Sequence, residues 1–174
     1  METSARQHEA QAARERPRVQ VAVVTVSDTR TPETDVSGRL LREQLAEDGH
    51  TIAFTRIVPD DGDAIRAALA ETVETQGCDG IIFNGGTGIS RRDTTFDVID
   101  GLLDKRLPGF GELFRALSYA DIGPAAMLSR ATAGTYRERL VISIPGSSAA
   151  VRLALDKLIR PELAHLVWEL IRQG

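Results

Sequence analysis

Apolar residues recur along the chain in two alternating patterns, short continuous runs and longer stretches with a spacing of three or four. Residues 19–26 form a nearly continuous apolar run, which is typical of a strand in a sheet covered on both faces. Residues 51–58 and 80–83 are predicted to be the second and third strands. The stretches between them have helical faces at Leu40, Leu41 and Leu45, then at Ile65, Leu69 and Val73. This order of elements predicts parallel strands joined by right-handed crossovers, with helices on both faces of the sheet.

The second half of the chain continues the pattern less regularly. A helix begins at residues 96–99, another follows Phe110, and residues 131–144 are predicted to hold a pair of strands. The last helix starts near Ser147 and is broken or restarted at Pro161. The sequence therefore predicts an α/β fold of three layers, α/β/α, around a mostly parallel central sheet.

Length and composition fit one domain. The chain has 174 residues, of which 42% are apolar and 26% charged. We expect a polar arm over residues 1–16, mobile or helical, and a single domain over 17–174.

The one cysteine, Cys78, is interpreted as a core residue of a protein in a reducing compartment. No apolar run suggests a signal peptide or a membrane span, so a cytoplasmic location is expected. The net charge of −4 argues against nucleic acid as a partner.

A glycine-rich segment, residues 84–93, follows the third predicted strand and leads into a helix. Such a turn lets a phosphate approach backbone N–H groups closely, and the helix start adds further free N–H groups. Arg91 and Arg92 can neutralise phosphate, and Asp93 offers a carboxylate to a metal or a proton. The segment lacks the third glycine of a dinucleotide-binding fingerprint, which disfavours a dinucleotide-dependent oxidoreductase. A turn without any ligand remains the alternative.

Polar residues follow four predicted strands, in the segments Ser27-Asp28, Pro59-Asp60-Asp61, Asn84-Gly85-Gly86 and Pro145-Gly146-Ser147. Because ligands of parallel sheets bind beyond the carboxyl ends of the strands, these segments are expected to converge on one rim. Purely structural roles stay open for several of them. Asp60 and Asp61 can cap the helix that follows, Thr94 with Asp97 approximates a capping box, and Ser147 is a natural N-cap. Lys105 and Arg106 either extend the basic patch or form a surface turn.

The motifs and their order resemble the MoaB/MogA family of molybdenum cofactor biosynthesis proteins, which includes the G domain of gephyrin. The resemblance extends from about residue 18 to about residue 166, and residues 109–118 look nearer to MoaB than to MogA. The matching motifs are Val24-Thr25-Val26-Ser27-Asp28, Val58-Pro59-Asp60-Asp61, Gly85-Gly86-Thr87-Gly88, Arg91-Arg92-Asp93-Thr94-Thr95, Pro108-Gly109-Phe110-Gly111-Glu112, Leu128-Ser129-Arg130 and Ile144-Pro145-Gly146-Ser147.

The resemblance implies a molybdopterin-binding fold and a molybdopterin adenylyltransferase, which uses Mg²⁺ and ATP to make AMP-molybdopterin and pyrophosphate. A pterin-binding or assembly protein with little activity is the alternative. Asp60 and Asp93 match the family's catalytic and metal-binding carboxylates, whereas Glu112 either reaches the pocket or stays on the surface. The residues implied for binding ATP or the pterin are Ser27, Asp28, Asp35, Gly85, Gly86, Thr87, Gly88, Arg91, Arg92, Glu112, Ser118, Pro145, Gly146 and Ser147.

The resemblance also implies a homo-oligomer, a trimer or a hexamer of two trimers, and a molybdenum or tungsten pathway whose other proteins are potential partners. Residues 107–128 carry more large apolar side chains than one connection needs, including Phe114. We expect this segment to pack against a neighbouring subunit. The alternative is that it folds back over its own sheet.

Overall fold

The structure is a computed structural model that describes residues 18–171. Among the first seventeen positions it describes only 6, 7, 10, 11 and 14, all of them helical. The predicted mobile arm over residues 1–16 therefore lies largely outside the described residues and stays a prediction.

Six strands form one sheet in the order β2-β1-β3-β6-β5-β4. Strands β2, β1, β3 and β6 are parallel, while β5 and β4 extend the sheet with antiparallel pairing. The predicted strand pair is β5 and β6, and the turn between them uses positive φ angles at Arg137 and Glu138. The strands are β1 (Gln20–Val26), β2 (Thr51–Val58), β3 (Gly80–Asn84), β4 (Lys105–Arg106), β5 (Thr132–Tyr136) and β6 (Arg139–Ile144).

Helices cover both faces of the sheet, as the sequence predicts. Helices α1, α4, α5 and α6 bury one face through residues such as Leu41 and Phe114, and α2 and α3 bury the other through Ile65 and Ile99. The helices are α1 (Val36–Glu47), α2 (Gly62–Glu74), α3 (Thr95–Leu102), α4 (Pro108–Ile122), α5 (Ser148–Ala154) and α6 (Arg160–Ile171), with a 3₁₀ turn at Gly123–Leu128. The three-layer α/β/α architecture is confirmed.

Two local expectations are settled within the fold. The last helix is not broken at Pro161 but restarts beside it: a π-helical turn, Leu155–Ile159, joins α5 to α6, which begins at Arg160. The wider π turn accommodates the proline, because in a regular α-helix the proline ring would clash with the carbonyl four residues earlier.

Cys78 is buried in the core, and burial raises the pKa of its thiol, as expected for an unreactive packing residue. Among the residues described, no helix is long and apolar enough to cross a membrane.

Candidate functional site

The four polar segments that follow the parallel strands meet on one rim. Val58 pairs with Val26, Thr25 pairs with Asn84, and Asn84 pairs with Ile144, so the four strands end at the same level. β2 lies on one side of β1, and the chain then crosses over to place β3 on the other side of β1. The boundary between β1 and β3 is therefore the switch point of the sheet. Switch points are where open α/β sheets bind ligands.

Close packing at this boundary requires glycine. Gly85 has a φ of +106°, and a Cβ on it would overlap the carbonyl oxygen of Val26. A Cβ on Gly146 would lie 2.9 Å from the Cα of Gly85. The buried Asn84 fixes the start of the loop, because its amide nitrogen donates to the Thr25 hydroxyl at 3.0 Å. The glycine loop, residues 85–93, is thus wedged between the ends of β1 and β6.

Three successive peptide groups of this loop turn their carbonyls toward the protein. The Gly86 carbonyl accepts from the Thr95 N–H at 2.9 Å, and the carbonyls of Thr87 and Gly88 accept from the Arg130 guanidinium. In a planar trans peptide the N–H points opposite to the carbonyl. The N–H groups of the next residues, Thr87, Gly88 and Ile89, donate to no protein atom within residues 18–171. Three such N–H groups in succession are suitable donors for an anion.

Asp60 and Asp61 have different roles. Asp61 caps α2, since its carboxylate accepts from the N–H groups of Asp63 and Ala64 at 3.1 and 3.0 Å. Asp60 instead accepts through Oδ1 from the Thr94 N–H and hydroxyl, at 3.0 and 2.9 Å. The capping alternative therefore holds for Asp61 and not for Asp60.

The contact with Thr94 also corrects a second expectation. Thr94 makes no side-chain cap to α3, because its hydroxyl is directed to Asp60. Asp97 is paired with Arg130 at 2.9 Å. The expected capping box between Thr94 and Asp97 is wrong, because both side chains have longer-range partners.

We expect Asp61→Ala to lower the free energy of unfolding by about 1 kcal/mol, the usual effect of losing a helix cap. The rim should be unaffected, because Asp61 is exposed and its side chain contacts only the first turn of α2. Urea denaturation measures the first effect and anion binding the second. A loss of binding without a loss of stability would contradict this assignment.

The carboxylates of Asp60 and Asp93 lie beside two glycines of the loop. A Cβ on Gly86 would lie 2.5 Å from Asp60 Oδ2, and one on Gly88 would lie 2.6 Å from Asp93 Oδ2. Asp93 Oδ2 accepts from the N–H and hydroxyl of Ser90. Within the described part of the chain, Asp60 Oδ2 and Asp93 Oδ1 have no hydrogen-bond partner. Two carboxylate oxygens therefore remain available beside the free N–H groups.

A cation–carboxylate pair links the loop to the end of β1. Arg92 contacts Asp28 Oδ2 at 2.7 Å, and Asp28 Oδ1 accepts from the Asp60 N–H at 3.2 Å. Arg91 is exposed and pairs with no carboxylate among residues 18–171. The hydroxyl of Ser27 accepts from N–H groups in the turn that follows it. Of the two loop arginines, Arg92 is therefore neutralised by Asp28, whereas the guanidinium of Arg91 is free among the described residues.

Asp35 lies beneath the rim. It is 1% exposed and caps α1 by accepting from the Gly38 N–H at 2.9 Å. Its other oxygen accepts from the Thr25 hydroxyl at 2.9 Å and from Arg42 at 3.3 Å. All the hydrogen bonds of the Asp35 carboxylate are to protein groups, and through Thr25 it holds Asn84. Asp35 also lines a cavity together with the rim residues Ser27 and Asp28.

The remaining sequence candidates lie toward the α4–α5 side. Ser147 caps α5 by accepting from the Ala150 N–H at 3.2 Å, while Pro145 and Gly146 form the end of β6 on the rim. Ser118 is buried and donates to the Phe114 carbonyl, yet it lines a small cleft together with Pro145 and Ser147. Glu112 is exposed on α4.

Two groups of basic residues outside the loop bear on the sequence predictions. Lys105 and Arg106 form the exposed edge strand β4, where Arg106 pairs with Asp100, so they do not extend the basic patch of the loop. Arg130 was not predicted as a site residue although it touches the loop directly. The available signal was the Leu128-Ser129-Arg130 motif, to which the sequence alone gave no role.

Comparison with known proteins identifies the family. Residues 22–165 match the family described as probable molybdopterin binding domain. The chain is 51% identical over 171 residues to molybdenum cofactor biosynthesis protein B of Bacillus cereus, covering 98% of this chain and 99% of that protein. It is 55% identical over 154 residues to the Bacillus subtilis protein of the same name, covering 87% and 90%.

Solved structures give the same result. A crystal structure of molybdenum cofactor biosynthesis protein B superposes with a TM-score of 0.87 at 52% identity, covering 90% of this chain and 98% of that one. The tungsten cofactor synthesizing protein MoaB from Pyrococcus furiosus gives 0.79 at 40% identity, covering 89% and 98%. The chain belongs to the molybdopterin-binding domain family and, within it, to the molybdenum cofactor biosynthesis protein B group.

Proposed function

We propose that this chain acts in molybdenum cofactor biosynthesis by adenylylating molybdopterin with ATP in a magnesium-dependent reaction. The observation that carries the proposal is the row of three free N–H groups, at Thr87, Gly88 and Ile89, flanked by the carboxylates of Asp60 and Asp93. The rim thereby offers donors for a nucleotide's phosphates together with oxygen ligands for a divalent cation.

In the proposed reaction, a phosphate oxygen of molybdopterin attacks the α-phosphorus of ATP. The bond from that phosphorus to the bridging oxygen breaks, and pyrophosphate leaves with the bonding electrons. The reaction needs no covalent enzyme intermediate, so in-line placement and charge neutralisation can supply most of the catalysis. The loop N–H groups hold the nucleotide phosphates, and the exposed Arg91 offsets their charge, whereas Arg92 is already paired with Asp28.

The donor set of the rim fits Mg²⁺. Asp60 and Asp93 each offer one carboxylate oxygen without a protein hydrogen bond, and magnesium in nucleotide sites commonly takes one or two carboxylates plus phosphate oxygens and water. Within residues 18–171 no three metal-binding side chains cluster closely enough to hold an ion unaided. Phosphate oxygens of the nucleotide and water would complete the coordination, and the cation would neutralise the charge that develops on the leaving pyrophosphate.

We assign the pterin to the other end of the rim, at Pro145, Gly146 and Ser147. These residues adjoin the cleft that Ser118 lines, and they abut the glycine loop at Gly85. A pterin phosphate held there would stand next to the nucleotide on the loop. Proximity of this kind converts a bimolecular encounter into a reaction between two fixed groups.

The test is pyrophosphate release measured with each substrate alone and with both together. Adenylyl transfer predicts release only when ATP, Mg²⁺ and molybdopterin are all present, in a ratio of one pyrophosphate per AMP-molybdopterin. If the chain binds molybdopterin tightly but releases no pyrophosphate, the alternative of a pterin-binding or assembly protein replaces the enzyme.

We further propose that the chain assembles into a trimer or a hexamer through the surface of α4 and the turn after it. The large apolar residues exposed there are Leu113, Tyr119, Ile122, Met127 and Leu128, of which Met127 is 76% exposed. A contiguous exposed apolar patch of this kind usually marks a partner surface. Other proteins of the cofactor pathway, a cytoplasmic location and the choice between molybdenum and tungsten stay predictions.

The residue that tests assembly is Tyr119 rather than Phe114. Phe114 is fully buried in the chain's own core, so Phe114→Glu would unfold the subunit rather than separate it from neighbours. We expect Tyr119→Glu to shift the mass measured by light scattering at micromolar concentration toward smaller species, because it places a charge in the apolar contact. Ile171→Glu, at an exposed apolar residue on α6, is the matched control. A monomeric unaltered chain would contradict the proposal.

A further inference from the structure

We propose that Arg130 is the positioning residue of the glycine loop: it fixes two peptide groups so that their N–H groups face the ligand. That this ligand is a phosphate rests on the function proposed above. The ordering of the loop by Arg130 does not, because it follows from contacts within the protein.

The guanidinium of Arg130 is held from three sides. Nε donates to the Thr87 carbonyl at 3.0 Å, and Nη2 donates to the Gly88 carbonyl. Nη1 and Nη2 also contact the two carboxylate oxygens of Asp97, at 2.9 and 3.1 Å. The guanidinium carbon lies 4.8 Å from the centre of the Phe96 ring, a cation–π distance. Asp97 and Phe96 both belong to α3, so Arg130 connects the loop to that helix.

These contacts determine which way the loop peptides face. The helix start supplies the Thr95 N–H to the Gly86 carbonyl, and Arg130 supplies the donors for the next two carbonyls. Because each peptide is planar, fixing a carbonyl on the inner side fixes the attached N–H on the outer side. Without Arg130 the peptides after Thr87 and Gly88 would have no such constraint, and glycine permits them to rotate.

Arg130 does not act by touching the ligand. Its side chain is 25% exposed, and the guanidinium is committed to two carbonyls and one carboxylate. The Asp97 carboxylate also offsets its charge. Arg130 is therefore distinct from Arg91, whose guanidinium is exposed and unpaired among the described residues. A lysine at position 130 could not replace it, because one ammonium group cannot span the same planar set of acceptors.

The experiment compares Arg130→Lys with Arg106→Lys in the full chain. Arg106 is a matched control, since it also joins a carboxylate and a carbonyl, both of Asp100, at 2.9 and 2.8 Å. Loop order is measured without ligand as the rate of tryptic cleavage after Arg91 and Arg92, followed by mass spectrometry. Affinity is measured by calorimetric titration with pyrophosphate in the presence of Mg²⁺.

We expect trypsin to cleave the loop of Arg130→Lys at least about fivefold faster than that of the unaltered chain. We also expect this variant to bind pyrophosphate at least about tenfold more weakly, and Arg106→Lys to be unchanged in both measurements. Unchanged cleavage in Arg130→Lys would overturn the positioning role, whatever the activity. If Arg130→Lys does not fold, Asp97→Asn replaces it as the test variant. Asp97→Asn weakens the contact on one side of the Arg130 guanidinium and should raise the rate of loop cleavage about twofold to fivefold. Unchanged cleavage in Asp97→Asn would then overturn the role.

The outcomes separate this inference from the proposed function. An ordered loop that Arg130→Lys loosens, in a chain that binds no pyrophosphate, would support positioning by Arg130 and contradict the phosphate-binding rim. Tight pyrophosphate binding, with both binding and cleavage unchanged in Arg130→Lys, would support the phosphate-binding rim and contradict positioning by Arg130.

Discussion

An Asp93→Asn variant is expected to fold normally and to form AMP-molybdopterin about a hundredfold more slowly or worse than the unaltered chain. The substitution removes the negative charge of one of the two carboxylates that would hold the proposed cation. The fold should survive because an amide oxygen can still accept from the N–H and hydroxyl of Ser90. Initial rates at saturating Mg²⁺, with a thermal melt of each protein, measure both effects.

Asp60→Asn is the companion variant, and Asp61→Asn is its matched control. Asp60 faces the loop whereas the neighbouring carboxylate of Asp61 caps α2, so only the first is expected to slow turnover. Near-normal turnover of Asp93→Asn at saturating Mg²⁺ would remove Asp93 from the catalytic residues. Equal effects of Asp60→Asn and Asp61→Asn would indicate that charge in general, rather than position, matters on this rim.

Gly85→Ala is expected to lower the free energy of unfolding by about 3 kcal/mol, from overpacking and from a side chain at positive φ. The new Cβ would overlap the backbone carbonyl of Val26, so either β1 or the glycine loop must move. For a chain of this length, that loss corresponds to a melting temperature lower by about 6 to 12 °C. Anion binding should fall as well, because the displaced loop carries the free N–H groups.

Gly101→Ala is the control for this prediction. Gly101 lies in α3, and a Cβ there would meet no atom within 4 Å. The same chemical change should therefore stabilise the chain slightly, by replacing glycine in the last turn of a helix with a better helix former. A Gly85→Ala variant that melts at the same temperature as the unaltered chain would contradict the close packing between the strand ends.

The architecture and the rim could be predicted because both depend on local sequence patterns. Apolar runs marked β1 and β3, the alternation with helices placed β2 between them in sequence, and parallel strands must bring their carboxyl ends together. The roles of Asp60 and Asp61 could not be separated, since both precede the same helix. The extended backbone at Asp61 turns its carboxylate to the helix start and leaves Asp60 beside the loop.

Other roles depend on contacts between distant segments. Arg130 lies 43 and 42 positions from its carbonyl partners Thr87 and Gly88, and no local pattern indicates such a pairing. Asp35 follows a rim segment in sequence, yet its carboxylate is buried and accepts from the hydroxyl of Thr25, 10 positions earlier. Phe114 belongs to a segment rich in apolar residues, and only the packed structure distinguishes its inward position from the exposed one of Tyr119.

The measurement that tests the central claim most directly is the transfer of label from α-³²P-ATP to molybdopterin in the presence of Mg²⁺. We expect labelled AMP-molybdopterin to accumulate with the unaltered chain and to be strongly reduced with Asp93→Asn, while Asp61→Asn stays near the unaltered rate. Molybdopterin that binds to the chain but acquires no label, at saturating ATP and Mg²⁺, would contradict the assignment of the rim as an adenylyl-transfer site.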